Sequence, residues 1–351
     1  MDLPLPAPPS PAPASPESVS PTPSAAPPRA EADPVADDGA ARLLASRLVA
    51  SGDAVVAGHH ETADVAVATL LAGGNLLIED LPGVGKTLLA QVLARAVGGT
   101  FGRIQGTPDL LPGDVTGSMM PTHDADGPSG LAFRPGPIFA NVVVFDELNR
   151  ATPRTQSALL EAAEEATVSV DGTSHRLPSP FMLVATQNPI EMAGTYGLGE
   201  GALDRFAAVV SPGRAAPELE VEVLTGRRGR SMLTAIEPVA HPAEIVAARA
   251  AVRAVHVSDA LGRYVVDLLE ATRSHPSTRL GASTRAGVSL IALARARAAM
   301  DGRTYVVPDD VARLAVASLG HRVLLADGDG STTAGRALVA ECVASVSAPS
   351  A

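Results

Sequence analysis

The stretch Leu76-Leu77-Ile78-Glu79-Asp80-Leu81-Pro82-Gly83-Val84-Gly85-Lys86-Thr87-Leu88 constrains this chain more than any other. A short apolar run of strand length meets a glycine turn, and a helical pattern starts at the Lys-Thr pair. Strand, glycine turn and helix in that order form a phosphate cradle. Backbone N–H groups of the turn point at phosphate oxygens, glycine lets the backbone come that close, and the helix N-terminus adds partial positive charge. In such a loop Lys86 reaches the β- and γ-phosphates of a nucleotide and the Thr87 hydroxyl ligates Mg²⁺. The strict spacing G-x-x-x-x-G-K-[ST] asks for glycine where Asp80 stands; aspartate tolerates turn conformations better than most residues, so the loop is still expected to form. The expected nucleotide-contacting residues are Asp80, Leu81, Pro82, Gly83, Val84, Gly85, Lys86, Thr87 and Leu88. An ordinary Gly-Pro turn is the bland alternative; the strand before and the helix after favour the phosphate loop.

A second apolar run, Val142-Val143-Val144-Phe145, leads straight into Asp146-Glu147, about 60 residues after the loop. In phosphate-loop proteins an aspartate at this point holds Mg²⁺, and a following glutamate polarises the attacking water. Paired acids at a strand end are otherwise a solvated turn, and only the loop upstream makes them informative. Phe181-Met182-Leu183-Val184-Ala185 predicts a third strand. Continuous apolar strands alternating with helices predict a parallel sheet covered on both faces, an α/β class. Residues 168–177, with Asp171-Gly172 near the centre, predict a β-hairpin.

Helical spacing begins near Ala40 and is followed by a second apolar stretch over 65–71. After about Pro217 strands fade, and helices are predicted over 243–255, 258–273, 284–300 and 309–319. Four segments are therefore expected. Residues 1–38 form a disordered Pro/Ala-rich arm, for which docking is the lesser reading. Residues 39–216 form an α/β nucleotide-binding core, residues 217–345 a smaller α-helical lid domain, and residues 346–351 a flexible tail. The chain carries 38 acidic and 27 basic side chains, net −11 over 351 residues, which argues against a surface that holds nucleic acid by its phosphates. The lone Cys342 excludes an internal disulfide and any multi-cysteine zinc site. No run reaches the roughly 18 apolar residues of a spanning helix, and Met1-Asp2-Leu3-Pro4 does not open a signal peptide, so a cytoplasmic location is expected.

Several longer motifs bear a family resemblance. Arg103-Ile104-Gln105-Gly106-Thr107-Pro108-Asp109-Leu110-Leu111-Pro112-Gly113-Asp114, Gly136-Pro137-Ile138-Phe139-Ala140-Asn141, Asp146-Glu147-Leu148-Asn149-Arg150-Ala151, Thr155-Gln156-Ser157-Ala158-Leu159-Leu160-Glu161 and Ala185-Thr186-Gln187-Asn188-Pro189-Ile190-Glu191 resemble the MoxR family of AAA+ ATPases. The resemblance runs from about Ala40 to His321. It implies a P-loop AAA+ core followed by a helical lid, and a chaperone-like ATPase that uses ATP and Mg²⁺. It also implies assembly as a homo-hexameric ring and work with a protein carrying a von Willebrand factor A domain, in maturing complexes or inserting metal cofactors. By resemblance Thr87 and Asp146 hold the metal and Glu147 activates water. Asn188 occupies the first sensor position. Arg205, in Leu203-Asp204-Arg205-Phe206, is the arginine finger reaching a neighbour, with Arg150 and Arg154 as rivals. Arg285, in Gly281-Ala282-Ser283-Thr284-Arg285-Ala286, is the second sensor, reaching the nucleotide from the lid. Two departures stand out: Gly197 and Gly199 replace prolines usual in the family, and Gly106 replaces an aromatic. The stretch 123–130 reads as flexible.

Remaining signals are weaker. His59-His60 lacks the i, i+4 spacing of a helix metal site and reads as solvated histidines. Cys342 reads as buried filler. Two other functions compete: a nucleic-acid-acting motor on the same fold, disfavoured by net charge and by only nine aromatic residues (Phe 6, Tyr 3, Trp 0), and a nucleotide-switched scaffold with little turnover, disfavoured by the Asp146-Glu147 pair. A magnesium-chelatase motor subunit is a close relative of the leading reading.

Overall fold

The computed structural model describes residues 38–55, 59–80, 85–122, 130–188, 195–214, 216–227, 229–327 and 332–349. The expected arm (but for its last residue), loop residues 81–84 and residues 123–129 lie outside them. Helices α1 (Asp38–Val55) and α2 (His60–Ala72) lead into strand β1 (Leu76–Glu79), helix α3 (Lys86–Ala96) and strand β2 (Phe101–Gln105). A short helix α4 (Pro112–Thr116) and the antiparallel pair β3 (Gly117–Thr122) and β4 (Gly130–Pro135) precede β5 (Val142–Asp146). Helix α5 (Pro153–Glu165), the hairpin β6 (Thr167–Val170) and β7 (Thr173–Arg176), β8 (Met182–Gln187), α6 (Glu200–Leu203) and β9 (Ala208–Val210) follow. The rest is mostly helical: α7 (Pro217–Leu224), α8 (Pro242–Ala254), α9 (Asp259–Ser274), the short strand β10 (Thr278–Leu280), α10 (Thr284–Met300), α11 (Pro308–Leu319), β11 (Leu324–Leu325) and α12 (Thr332–Ser345).

Strands β2, β5, β8, β1 and β9 lie side by side in that order, all parallel, so the α/β expectation holds. The expected strands appear as β1, β5 and β8, and the expected hairpin as β6–β7. The apolar-run reading passes over β2 and β9. β2 is the edge strand Phe-Gly-Arg-Ile-Gln, whose burial alternates rather than running continuously, and β9 has only three residues.

Period-two alternation sends each strand to two cores. Leu76, Ile78, Val142, Val144, Met182, Val184, Ala208 and Val210 join one core, together with buried residues of α1, α2 and α3. Leu77, Val143, Phe145, Leu183, Ala185 and Val209 join the other, with Leu159 and Leu160 of α5. The C-terminal helices share the first core: Leu290, Leu293 and Ala294 of α10 and Leu314 of α11 belong to it, and α10 packs on α1 and α2. The described residues form one compact unit. No helix among them is long and apolar enough to cross a membrane.

Candidate functional site

Parallel strands end on one edge of their sheet, where α/β proteins bind ligands. The register sets Glu79 level with Gln187 and Gln105 level with Asp146 at that edge. A cleft of about 370 Å³ opens there, lined by Gly85, Lys86, Thr87, Leu88, Gln91, Arg103, Glu147, Thr186, Gln187 and Asn188.

Gly85 caps α3 in the left-handed region, φ +88°, a conformation that suits glycine. The next two side chains enter the cleft from the first turn of the helix. Lys86 Nζ donates to the carbonyls of Asp80, just past β1, and, at 3.0 Å, of Gln187, which ends β8. Burial pushes the Lys86 ammonium below the ordinary lysine range, against the pull of Asp80, Glu147 and Glu79. Thr87 Oγ1 donates to Asp146 Oδ1 at 2.7 Å, and Arg103 Nε donates to Asp146 Oδ2 at 2.9 Å. Asp146 is 3% exposed, and each of its oxygens accepts a hydrogen bond inside the protein with lone-pair capacity left over.

Glu147 follows at the strand's end in the left-handed region, φ +55°. A non-glycine residue there costs about 1–3 kcal/mol and persists where the surroundings over-determine it. The surroundings do so: its N–H donates to Thr186 Oγ1 at 3.0 Å, its carbonyl accepts from Arg150 N–H at 2.9 Å, and Oε2 accepts from Arg150 Nη1 at 3.1 Å and Gln105 Nε2 at 3.4 Å. Gly106 lets β2 come this close. Its N–H donates to the Asp146 carbonyl at 2.7 Å, and a Cβ on it would sit 2.1 Å from the Glu147 carbonyl oxygen.

Asn188 lines the cleft beside β8, its carbonyl accepting from Asn149 Nδ2 at 3.0 Å. Of the expected contact residues, 81–84 lie outside the described residues. Asp80 is not a plain turn residue: it is 9% exposed, and its Oδ2 accepts from Ser211 Oγ at 3.0 Å and Gly213 N–H at 2.5 Å, tying the loop's start to the segment after β9. Neighbouring Glu79 is also buried, bonded by Gln187 Nε2 at 2.6 Å and by Thr332 of α12, with Arg336 at 3.5 Å.

Arg205 and Arg285 are not among the cleft-lining residues; both pair with Glu164 instead. Arg205 Nε pairs with Glu164 Oε2 at 2.9 Å, Arg285 Nη2 pairs with Glu164 Oε1, and Arg285 Nε lies 3.5 Å from Asp204. Burial alone would raise the Glu164 carboxyl; the two guanidiniums outweigh it and hold the group below the ordinary glutamate value. Arg150 is engaged with Glu147, and Arg154 is exposed on α5.

Sequence reasoning missed Arg103, Gln91 and Thr186. The pattern that finds Arg103 is the alternation of β2, where Ile104 is buried and its two neighbours share the other side. The histidine reading needs correction at His59, which is 6% exposed, with Nδ1 3.1 Å from the Pro212 carbonyl; His60 is exposed and pairs with Asp53. Burial pushes His59 down, and the hydrogen bond to Asp53 pulls His60 up. Cys342 is buried, as expected. Among the described residues no cluster of three His, Cys, Asp or Glu is arranged to hold a metal.

Residues 75–208 match the family model described as "ATPase family associated with various cellular activities (AAA)", and residues 270–341 match the "AAA lid domain". The chain is 38% identical over 280 residues to Chaperone MoxR1 of Mycobacterium tuberculosis, covering 77% of this chain and 73% of that protein. It is 35% identical over 298 residues to Protein MoxR of Paracoccus denitrificans, covering 77% and 86%. The chain belongs to the MoxR family of AAA+ ATPases. The YeaC protein of Bacillus subtilis is 43% identical over 271 residues, 77% of this chain and 84% of that one. A crystal structure from Cytophaga hutchinsonii superposes with a TM-score of 0.78 at 31% identity, covering 89% of this MoxR-family chain and 97% of that one. As a chaperone-like AAA+ ATPase the protein binds nucleotide, and α10 and α11 fall within its lid.

Proposed function

We propose that this MoxR-family protein hydrolyses ATP with Mg²⁺ at the cleft between β1, β5 and β8, as a subunit of a homo-hexameric ring. The ring works in the cytoplasm with a partner carrying a von Willebrand factor A domain, maturing protein complexes, metal cofactor insertion among them. One observation carries the chemistry: Lys86, Thr87, Asp146, Glu147 and Asn188 are brought to one strand edge. Lys86 neutralises phosphate charge from the start of α3. The Thr87 hydroxyl and the Asp146 carboxylate, 2.7 Å apart, are the hard oxygen donors Mg²⁺ takes. When bound, the ion offsets charge on the phosphates.

Glu147 Oε2 is held by Gln105 and Arg150, so Oε1 is the oxygen assigned to take the proton of the attacking water. Asn188 orients that water. Arg205 reaches the triphosphate of the neighbouring subunit, and Arg285, sharing Glu164 with it, senses nucleotide at the same boundary. The division into a core of 39–216 and a lid of 217–345 is part of this proposal.

The test is multiple-turnover ATP hydrolysis with Mg²⁺. Glu147→Gln is expected to retain ATP and lose turnover, and Lys86→Ala to lose both; near-normal turnover in Glu147→Gln removes that residue from its role. A pull-down with the Glu147→Gln ring identifies the partner. Stimulation by single-stranded nucleic acid would favour the motor reading instead.

A further inference from the structure

The turn that carries Arg205 follows the four-residue helix α6 and precedes the three-residue strand β9. Its N–H groups bond locally, Asp204 to Glu200 and Phe206 to Leu203, both at 3.0 Å. The carbonyls on either side of Arg205 are taken by a residue of the C-terminal region. Arg322 ends the 3₁₀ turn Gly320–Arg322 after α11. Its Nη2 donates to the Asp204 and Phe206 carbonyls, each at 2.9 Å, and its Nε lies 2.9 Å from Asp204 Oδ1. Its Nη1 donates to the Ser318 carbonyl at 2.9 Å. His321 adds a second contact, Nε2 to the Phe206 carbonyl at 3.0 Å. A carbonyl only accepts, so this ring is the Nε2–H tautomer.

The Arg322 side chain is 4% exposed. Burying a guanidinium is unfavourable unless several acceptors and an opposite charge surround it. Three of the four acceptor groups named above belong to the turn around Arg205. Nη2 hydrogen-bonds both carbonyls of the turn, while Nε makes no hydrogen bond and meets the Asp204 carboxylate as an ion pair; a lysine ammonium, a point charge on a flexible stem, does not reproduce the fixed spacing of these contacts.

We propose that Arg322 is the positioning residue for Arg205. It clamps the backbone on both sides of position 205, so that the Arg205 side chain leaves the turn at one angle, toward the neighbouring subunit's triphosphate. Arg322 is not among the cleft-lining residues. The core side contributes Glu164 and the Gly201 carbonyl to the Arg205 guanidinium; the helical C-terminal region contributes the clamp. The state of one subunit's C-terminal region is therefore coupled to the finger it offers to the next. This inference rests on Arg205 being that finger.

The experiment uses the full chain, assembled with ATP and Mg²⁺, carrying Arg322→Lys. Turnover number is expected to fall roughly 10- to 100-fold, the scale of a misplaced catalytic group, while ATP affinity stays near that of the parent; the melting temperature falls as well, because lysine leaves a buried carbonyl unpaired. Mixing Arg322→Lys subunits with Lys86→Ala subunits should restore turnover, because the latter have an intact Arg322–Arg205 unit to offer to an intact neighbouring cleft. A loss that mixing does not rescue, or one that tracks weaker ATP binding, overturns the proposal. If Arg322→Lys does not fold, Asp204→Asn, at a partly exposed position, weakens the same grip and should lower turnover in the same sense; normal turnover in it overturns the proposal. Arg205→Ala separates the two readings. If it turns over normally, the finger assignment fails. If it is slow and Arg322→Lys is not, the positioning inference alone fails. The double variant should be no slower than Arg205→Ala.

Discussion

Replacing Asp80 by the glycine of the strict phosphate-loop pattern should weaken this protein. The Asp80 carboxylate accepts two hydrogen bonds, from Ser211 Oγ at 3.0 Å and from Gly213 N–H at 2.5 Å, at a residue only 9% exposed. Hydrogen bonds to a charged acceptor contribute about 1.5–3 kcal/mol each, so the pair sets a range of about 3–6 kcal/mol. Ser211 is exposed and regains water, which brings Asp80→Gly to the low end, about 3 kcal/mol. At about 2 °C per kcal/mol for a chain of this size, melting should drop by about 6 °C. Asp80→Asn keeps an acceptor oxygen without the charge; neutral bonds have about half the strength, so it should lose about 1.5 kcal/mol, or about 3 °C. Lys86 bonds the backbone carbonyl of residue 80, which both variants retain, so ATP binding should survive in each. Scanning calorimetry at pH 7.5 and a fluorescent-nucleotide titration read both quantities. A glycine variant that melts at or above the parent temperature would refute the clamp.

Two further outcomes follow from the geometry. Gly106→Ala drives a Cβ toward the Glu147 carbonyl, so ATP turnover should fall by roughly 10-fold or more while ATP affinity holds, and a fully active variant would show that the strand end yields. His321 is held neutral well below its ordinary pKa by burial, and His59 is shifted the same way. Below pH about 6.5 the unfolded chain therefore binds protons that the native one refuses, and stability falls with pH by up to about 1.4 kcal/mol per unit for each such group. The exposed His60–Asp53 pair works in the opposite sense, and urea midpoints at pH 7.5, 6.5 and 5.5 measure the sum. His321→Gln should flatten the acid side of that profile; an unchanged slope would assign the effect elsewhere.

What could be read along the chain was local. The run from Leu76 to Thr87 states strand, turn and helix within a dozen residues, and Val142 to Glu147 states a buried strand with acids at its end. Both are continuous apolar runs because those strands are central and covered on both faces. β2 was illegible because an edge strand mixes Gly, Arg and Gln with its apolar residues, and Arg103 went with it. The β3–β4 pair left no trace of alternation, as it is largely exposed on both sides. Long-range polar contacts were the least visible. Nothing near Gly320-His321-Arg322 announces carbonyl partners at 204 and 206, and nothing near Asp80 announces Ser211. Such pairings are fixed by how the helices close over the sheet, which composition does not encode.

The enclosed Glu79 makes its partners mutually dependent. Gln187 reaches it from β8, while Thr332 and Arg336 reach it from α12. Losing Arg336 removes the opposite charge, and losing Gln187 or Thr332 removes a hydrogen bond in a dry setting, whereas exchanging the whole group for apolar side chains of similar volume would be nearly neutral. Descendants of this chain should therefore inherit the quartet intact or replace it wholesale, with intermediates seldom surviving.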